Sequence, residues 1–376
     1  MTFRLGSIDM RILHSVQDFT RSGGIGTYLL ALVEEQKRLG HEVKVECARH
    51  DPGSLDVIEA GSSEEFLPDI IHAHDYWRHR WDGAAAIVRS LHNHDFACSS
   101  RTRYLRDGKP CFKAHGIACV AHWPSCSHSP RVDKRLSDYR ATSRNLKSVL
   151  GADAVVAYSR YVGETAVLNG VSDSKVMILP CPITRFDANV DYGLASPGLV
   201  TYFGRLARPK GVEDLIEAVG VLPNVSLRIV GDGYLRSKLE RMAASLAPGR
   251  VDFHGWAAED ELPRLYQESA VVVMPGRWPE PFGLVGLEAA WAGRPVIASA
   301  SGGILDWLLP GETGLATKPG DVPDLTQAIE YVTSDTGQAE RMGLSARRHL
   351  EDWPNSADHA ETLVSEVYGA AIREAS

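Results

Sequence analysis

The sequence lacks the features that would place it within a membrane or outside the cell. No apolar run reaches the roughly 18–20 residues that a membrane-spanning helix requires. The first nine residues, MTFRLGSID, contain no apolar signal-peptide core, and the first strand is predicted to begin after them. The six cysteines include no C-x-x-C pair, a pattern typical of plain thiols in a reducing compartment. We therefore expect a cytoplasmic protein.

The sequence also lacks an excess of positive charge and a dinucleotide-binding motif. The formal net charge is −8, which argues against nucleic acid as a main partner. The glycine-rich turn at residues 22–26 is not a G-x-G-x-x-G, so a dinucleotide-binding fold is not indicated. Hydrophobic residues at 44% and charged residues at 23% are ordinary for a globular protein.

The length and the strand pattern predict two α/β domains. A chain of 376 residues is too long for one small core, and apolar strand segments alternate with amphipathic helix segments in both halves. Such alternation produces doubly wound, largely parallel sheets, so we expect two Rossmann-like domains facing across a cleft. The predicted domains are residues 1–182 and 183–355, followed by a C-terminal helix over 356–376. The boundary is placed at Pro180-Cys181-Pro182, since prolines interrupt regular strand pairing.

Residues 271–307 are predicted to form a strand, a loop, a helix and a second strand. The helix is expected to begin near Phe282, where the first N–H groups have no intrahelical partner and the helix dipole favours phosphate. Gly283 lets a ligand approach the backbone closely. Glu280 in the loop and Glu288 in the helix can accept hydrogen bonds from sugar hydroxyls. This combination indicates a nucleotide-sugar site.

The same segment resembles the retaining GT-B glycosyltransferases of family 4. The pattern E-P-F-G-x-x-x-x-E at residues 280–288 is followed by A-x-x-x-G-x-P-V at 289–296 and by Gly302-Gly303. Two glutamates eight positions apart would be weak support, whereas the whole run within strand–loop–helix–strand is specific. The resemblance implies a GT-B fold and transfer of a hexosyl group from a UDP- or GDP-sugar to an acceptor hydroxyl, with retention at the anomeric carbon. It also implies that the C-terminal helix crosses back to the first domain, which would bind the acceptor.

A second motif, G-R-L-x-x-x-K-G, occupies the strand-to-helix turn at residues 204–211. Arginine and lysine side chains on a turn are commonly no more than surface charge. The resemblance, however, implies that Arg205 and Lys210 neutralise the departing diphosphate, as a clamp of two cations. A planar guanidinium and a compact ammonium both suit phosphate oxygens. The helix start would add backbone donors to this clamp, from Phe282, Gly283 and Leu284. Leaving-group charge would then be stabilised without a metal.

The resemblance assigns the remaining donor contacts. Glu280 would bind hydroxyls of the transferred sugar, and Glu288 would bind those of the ribose. Without the resemblance, Glu288 would be interpreted as an exposed carboxylate on a helix. Gly23-Gly24, after the first strand, would face the diphosphate, but glycines in such turns are about as often structural. Gly255-Trp256 would lie beside the nucleotide base. We expect no cofactor and no metal, because no D-x-D triad of the metal-dependent sugar-transfer type stands in a matching context.

Histidines follow two predicted strands of the first half. His72 and His74 end one strand, and His92 and His94 follow the next. Strand ends face ligand clefts in α/β domains, but structural imidazoles are an equal alternative for all of these except His92. The S-L-H-N context of His92 is similar to the family's T-L-H-N, whose histidine reaches the transferred sugar. The predicted catalytic residues are His92, Arg205, Lys210 and Glu280.

A long loop in the first half contains thiols and cations at irregular spacing. Its cysteines are plain thiols, ligands of a structural zinc that would shape the loop, or disulfide partners, which a reducing compartment disfavours: Cys98, Cys111, Cys119 and Cys126. The arginines and lysines between positions 101 and 113 form either a solvated loop or a contact surface for an anionic or lipid-phosphate acceptor. The acceptor class stays open between a glycan, a lipid-linked saccharide and a small molecule. The lipid-linked case would bring peripheral contact with the inner face of the plasma membrane.

Two other functions fit the same motifs. A nucleotide-sugar epimerase or hydrolase would share the donor site but would need no acceptor. A non-catalytic nucleotide-sugar-binding protein would bind UDP or GDP without turnover. The intact motif residues disfavour the second alternative.

Overall fold

The chain contains two compact units. A computed structural model describes residues 9–19, 24–50, 57–59, 66–75, 85–126, 131–183 and 195–375. The first unit consists of Met1–Arg101, Phe112–Pro182 and Pro354–Ser376, and the second of Thr102–Cys111 and Ile183–Trp353. The C-terminal segment is therefore part of the first unit. Thr102–Cys111, which lies within the predicted first domain, is part of the second unit.

The first unit is built on a parallel sheet of seven described strands. Their order across the sheet is β3-β2-β1-β4-β5-β6-β7. The strands are β1 Arg11–Phe19, β2 Glu42–His50, β3 Val57–Glu59, β4 Ile70–Ala73, β5 Ala86–Leu91, β6 Ala154–Ala157 and β7 Val176–Ile178. All residues of β4 and β6 are buried, as expected for strands of a parallel sheet that is covered on both faces.

Helices of the first unit connect these strands and extend from the C-terminal segment. Their bounds are α1 Gly24–Arg38, α2 Ile117–Ala121, α3 Trp123–Cys126, α4 Val132–Leu150, α5 Arg160–Leu168, α12 Ser356–Thr362 and α13 Gly369–Ala375. The Ser159 side chain caps α5 by accepting a hydrogen bond from the Val162 N–H, as its position predicts. A π-helical segment, Leu363–Tyr368, joins α12 to α13.

The second unit is built on a parallel sheet of six described strands in the order β10-β9-β8-β11-β12-β13. The strands are β8 Leu199–Phe203, β9 Ser226–Val230, β10 Val251–Gly255, β11 Val271–Met274, β12 Val296–Ser299 and β13 Gly314–Thr317. The helices are α6 Val212–Gly220, α7 Arg236–Leu246, α8 Leu262–Glu268, α9 Leu284–Trp291, α10 Val322–Ser334 and α11 Thr336–His349. A core of buried aliphatic residues from β8, β9, β11 and α6 joins the sheet to its helices.

These observations confirm the predicted fold class of two doubly wound α/β units. Every described strand pair in both sheets is parallel. Sequentially remote strands lie side by side at the centre of each sheet, β1 beside β4 and β8 beside β11, which is the arrangement that creates a ligand crevice at the carboxyl ends. Within the described residues, no helix combines the length and the apolar character that crossing a bilayer demands.

Candidate functional site

The turn between β8 and α6 holds Lys210 against the loop that follows β11. Lys210 ends a short 3₁₀ helix, Arg208–Lys210, and Gly211 then adopts a left-handed backbone with φ of 68°. A Cβ on Gly211 would lie 2.0 Å from the Pro275 carbonyl oxygen, so only glycine permits this approach. The Arg277 N–H donates to the Pro209 carbonyl at 2.8 Å and ties the two loops together.

Lys210, Trp278 and Glu280 form one polar cluster. The Lys210 ammonium donates to Glu280 Oε2 at 2.8 Å, and the Trp278 indole N–H donates to the same oxygen at 2.8 Å. The ammonium also lies 4.8 Å from the centroid of a Trp278 ring. Both charged side chains retain exposure, 26% for Lys210 and 18% for Glu280, so a ligand can reach them. One N–H of the ammonium is used here, which leaves two further donors for an anion.

The backbone of Glu280 is held by the Gly302-Gly303 pair. The Gly303 N–H donates to the Glu280 carbonyl at 2.8 Å. Gly302 has a φ of 72°, and a Cβ there would lie 2.1 Å from the same carbonyl oxygen. The glycine pair that the motif contains therefore has a steric function, which is to let the loop before β13 pass directly against Glu280.

Helix α9 begins at the predicted phosphate-binding segment, two residues later than expected. Gly283 is its N-cap residue, with a φ of 97° and no side chain to cap the first N–H groups. Phe282 is buried and its carbonyl accepts a hydrogen bond from the Trp307 indole at 2.7 Å. Phe282 thus anchors the loop, and the backbone at Gly283 and Leu284 is the part that can meet a ligand.

Glu288 is a half-buried carboxylate with a defined partner. The Tyr266 hydroxyl donates to Glu288 Oε2 at 2.6 Å, and the Tyr266 ring stacks on Phe203 at 4.2 Å between centroids. Burial raises the pKa of the Glu288 carboxyl, while the Tyr266 hydrogen bond acts in the opposite direction. The alternative of an exposed helix carboxylate is therefore wrong.

Arg205 is the more exposed of the two predicted clamp cations. It follows β8 directly, its side chain is exposed, and its carbonyl accepts a hydrogen bond from the Tyr202 hydroxyl at 3.0 Å. Burial raises the pKa of that hydroxyl, and the Glu280 charge adds to the effect. The structure thus joins Lys210 directly to Glu280 and leaves the Arg205 guanidinium at the surface.

The glycine turns assigned to the diphosphate and the base are only partly described. Gly255 ends β10 with a φ of 85°, and its carbonyl accepts the Gly231 N–H at 2.6 Å. Trp256 is 67% exposed, so its ring is available for stacking. Gly24 is an exposed residue at the start of α1, whereas Gly23 lies outside the described residues.

His92 follows β5 in the first unit and is held by a second histidine. His74 Nδ1 and His92 Nε2 are 2.9 Å apart, and the His92 ring lies near the rings of Tyr28 and Tyr158. Burial lowers the pKa of His92 to about 3, with the Arg89 charge contributing, so the imidazole is neutral at pH 7.

The other strand-end histidines are structural. His72 is fully buried, His74 is 3% exposed and His94 is fully buried. His72 and His74 belong to a hydrogen-bonded group that also contains His14, and the His94 ring meets Tyr161 edge-on. Of the two alternatives, the imidazole with both ring nitrogens hydrogen-bonded is the one observed for His72 and His74.

Among the described residues, the four cysteines of the loop do not form a grouped set of ligands. None of the six cysteines forms a disulfide bond, and the four of the loop are divided between units, with Cys111 in the second and the others in the first. Among the described residues, the side chains close enough to share a metal ion are His14, His72 and His74.

Several residues that contact the predicted site residues could not be predicted from the sequence motifs. Trp278 stands two positions before Glu280 and could have been noted for that spacing. Tyr266 is an ordinary residue of an amphipathic helix, and nothing local indicates its bond to Glu288. The same applies to His14, within an apolar strand.

Comparisons with known proteins agree with the geometry of the second unit. The sequence model of the family described as glycosyl transferases group 1 matches residues 192–349. A glycogen synthase from Mycobacterium tuberculosis is 36% identical over 97% of this chain and 81% of its own length. A GDP-mannose-dependent phosphatidylinositol monomannoside mannosyltransferase from Mycolicibacterium smegmatis is 33% identical over 54% of this chain and 59% of its own. The solved structure of a sucrose-phosphate synthase from Thermosynechococcus elongatus, 23% identical, aligns with a TM-score of 0.70 over 96% of this chain and all of that one.

Proposed function

The chain belongs to the glycosyl transferases group 1 family, and we propose that it transfers a hexosyl group from a UDP- or GDP-sugar to an acceptor hydroxyl, with retention and without a metal. The observation that carries this proposal is the cluster of Lys210, Trp278 and Glu280 beside the uncapped start of α9. It combines a cation for a phosphate, a carboxylate for hydroxyls and a helix start whose first N–H groups have no side-chain cap.

The reaction requires stabilisation of negative charge on the departing diphosphate. The glycosidic C–O bond breaks through an oxocarbenium-like state, and charge develops on the leaving phosphate oxygens. Lys210 and Arg205 neutralise this charge, and the backbone N–H groups after Gly283 add preorganised dipoles. Because Lys210, Arg205 and the start of α9 together supply positive potential, the proposed mechanism needs no divalent cation.

The two carboxylates bind different parts of the donor. Glu280 accepts hydrogen bonds from hydroxyls of the transferred sugar, and its bond to Trp278 orients the oxygen that does so. Glu288 accepts hydrogen bonds from the ribose, and Tyr266 orients it. Exposed Trp256 supplies a stacking face for the base. We assign no covalent nucleophile, so retention results from front-face attack in which the leaving phosphate accepts the proton of the acceptor hydroxyl.

In the first unit, we assign His92 to the transferred sugar. Its imidazole is neutral, so it acts through hydrogen bonding rather than charge. The acceptor is a glycan, a lipid-linked saccharide or a small molecule. The exposed basic residues of the loop, Arg101, Arg106, Lys109 and Lys113, are the ones that an anionic acceptor such as a lipid phosphate would contact, whereas Arg103 is buried.

A donor panel tests the proposal. UDP- and GDP-hexoses are screened by thermal shift, since a ligand specific to the folded state raises its stability. The stabilising donor is then incubated with acceptors, and proton NMR of the product reports the anomeric configuration. We expect a retained configuration and undiminished turnover in EDTA. An inverted product, or activity that EDTA abolishes and Mg²⁺ restores, would contradict the mechanism.

The alternative functions are separated in the same assay. A nucleotide-sugar epimerase or hydrolase consumes its donor in the absence of any acceptor. A non-catalytic binding protein is stabilised by a donor but forms no product with any acceptor class. A transferase forms a product only when both substrates are present.

A further inference from the structure

Three buried histidines lie together at the centre of the first sheet. His14 of β1 is in register with His72 of β4, and His74 is two residues further along the chain. Side chains two apart on an extended chain point to the same face, so the three rings meet. The ring centroids of His14 and His74 are 5.1 Å apart, and those of His72 and His74 are 4.2 Å apart.

A metal is the first ligand to consider for such a group, but the hydrogen bonds argue against it. The ligand atoms lie within 4.8 Å of one another. However, all six ring nitrogens of His14, His72 and His74 already have a described hydrogen-bond partner. A metal ion would have to replace several of these bonds with lone-pair donation. The group is therefore better described by its hydrogen bonds.

The hydrogen bonds form one continuous relay. His92 Nε2 meets His74 Nδ1 at 2.9 Å, and His74 Nε2 meets His14 Nδ1 at 2.9 Å. His14 Nε2 lies 2.7 Å from Oε1, the side-chain amide oxygen of Gln36. The Gln36 amide nitrogen then donates to the Tyr368 hydroxyl at 2.9 Å. Three residues, His74, His14 and Gln36, thus connect His92 to Tyr368 of the C-terminal segment.

The Gln36 amide gives the relay a direction. Its oxygen can only accept, so His14 must carry its hydrogen on Nε2 and accept on Nδ1. His74 must then donate from Nε2 and accept on Nδ1. His92 in turn must donate from Nε2. Each neutral imidazole has one N–H and one lone pair; His14 and His74 use both along the relay, and His92 uses its N–H.

The other end of the relay is consistent with the same direction. The Tyr368 oxygen accepts from Gln36, and its own O–H donates to His72 Nδ1 at 2.8 Å. His72 then donates from Nε2 to the Ser90 hydroxyl at 2.8 Å. Ser90 also accepts from the Tyr158 hydroxyl at 3.0 Å. No link of this path requires a charged imidazole.

We propose that Gln36 is a positioning residue: the relay that it orients fixes His92 as the neutral tautomer with hydrogen on Nε2 and a lone pair on Nδ1. Among the described residues, none hydrogen-bonds to His92 Nδ1. The consequence for catalysis rests on the proposed function. In this tautomer His92 accepts a hydrogen bond from a substrate hydroxyl through Nδ1 and cannot donate one.

Burial of the rings supports an uncharged relay. Burial lowers the pKa of His14 to about 4 and that of His92 to about 3, and it lowers the pKa values of His72 and His74 well below the ordinary value. The Arg89 guanidinium, which donates to the Ala73 carbonyl at 3.1 Å, disfavours a further positive charge.

Nitrogen NMR of ¹⁵N-histidine-labelled protein tests the tautomers directly, because protonated and unprotonated ring nitrogens have well-separated shifts. His92 is assigned from a His92→Gln variant. At pH 7.5 we expect His92 as a single tautomer with hydrogen on Nε2, and His74 and His14 likewise. Hydrogen on Nδ1 of His92, or a mixture of tautomers, would overturn the proposal. So would stoichiometric Zn²⁺ binding that His72→Ala abolishes.

A Gln36→Met variant tests the role of the amide. It removes the oriented group while it keeps an apolar stem of similar length, so we expect mixed tautomers at His92 and a fall in kcat of about 10-fold, the scale of a misoriented contact group. Thr165→Val is the matched control, since Thr165 is a buried polar residue of the same unit outside the relay. It should leave both the tautomers and kcat unchanged. A single Nε2–H tautomer of His92 in Gln36→Met would also overturn the proposal.

The NMR result does not depend on turnover. A protein that transfers no sugar but shows the expected tautomers would refute the proposed function and leave the relay intact. If the protein transfers sugar but His92 is a mixture of tautomers, the relay is refuted and the proposed function is not.

Discussion

Lys210 and Glu280 are seventy residues apart in sequence, and their side chains are joined by a 2.8 Å hydrogen bond between ammonium and carboxylate. The bond places the cation that we propose for the phosphate directly beside the carboxylate that we propose for the sugar. Each charge orients the other before a ligand arrives, which is the preorganisation that stabilises developing charge.

Loss of either member of this pair should strongly reduce catalysis. Lys210→Met and Glu280→Gln should each lower kcat by about 100-fold, the scale of removing one preorganised charge contact. Because the two groups act as a unit, the double variant should lose little more than either single variant. Steady-state transfer assays measure this. Lys238→Met, which breaks an exposed ion pair with Glu213, is the control and should retain full activity. Near-normal turnover in both single variants would refute the clamp.

Arg205 should be needed although it lies at the surface. Arg205→Ala should reduce kcat by about 100-fold, because in the proposed mechanism the guanidinium neutralises the leaving diphosphate. Arg208→Ala removes a second exposed cation from the same turn and should change kcat little. Equal losses in the two variants would show that only the general positive potential of the turn matters.

Gly302 should be intolerant of alanine for a steric reason. A Cβ at Gly302 would lie 2.1 Å from the Glu280 carbonyl, whereas nothing lies within 4 Å of a Cβ at Gly249. The two glycines have nearly the same φ, 72° and 71°, so both substitutions carry about 1 kcal/mol of backbone strain. The clash should add about 1–3 kcal/mol to Gly302→Ala alone. Urea unfolding measures the difference, and only Gly302→Ala should also reduce activity. Equal destabilisation would contradict the close approach.

Tyr266 should affect donor binding through Glu288. Tyr266→Phe keeps the ring that stacks on Phe203 but removes the hydroxyl that donates to the carboxylate. Loss of a hydrogen bond to a charged group corresponds to roughly a 10-fold rise in the KM for the donor. Tyr331→Phe, at a half-exposed tyrosine, is the control. An unchanged donor KM in Tyr266→Phe would show that Glu288 needs no orienting partner.

The buried histidines should make the fold sensitive to acid. Their folded-state pKa values are lowered by burial, in each of His14, His72, His74, His92 and His359. Between about pH 4 and the ordinary value near 6.5, the unfolded chain binds more protons than the native state. Stability is therefore complete above about pH 6.5 and falls as the pH is lowered, by about 3 kcal/mol for a histidine whose pKa is about 4.

Thermal unfolding between pH 7.5 and 4.5 measures this loss. His14→Gln should make the dependence of Tm on pH shallower, since one titrating group is removed. His50→Gln, at an exposed histidine, should leave the slope unchanged. A Tm that does not fall with acid would contradict the neutral histidine group. The rings that face this group are those of Tyr28, Tyr158 and Tyr368, beside the Arg89 guanidinium.

The sequence alone determined the α/β class and the strands of the second unit, and it predicted the motif residues of the proposed donor site. Leu199–Phe203, Ser226–Val230 and Val271–Met274 are strands, because short apolar runs followed by glycine or proline encode a buried strand locally. Arg205, Lys210, Glu280 and Glu288 were predicted as site residues from the resemblance of their motifs to the glycosyltransferase family.

The tertiary structure decided what these residues contact. Gln36 lies in an amphipathic helix and Tyr368 lies 332 residues later, so no local pattern could indicate that they bond. The same is true of Tyr266 with Glu288, and of Thr102–Cys111, whose membership of the second unit depends on packing rather than on sequence order. Local patterns specify strands and helices because their energetics are local. A buried polar relay is specified only once remote segments pack and each donor must find an acceptor.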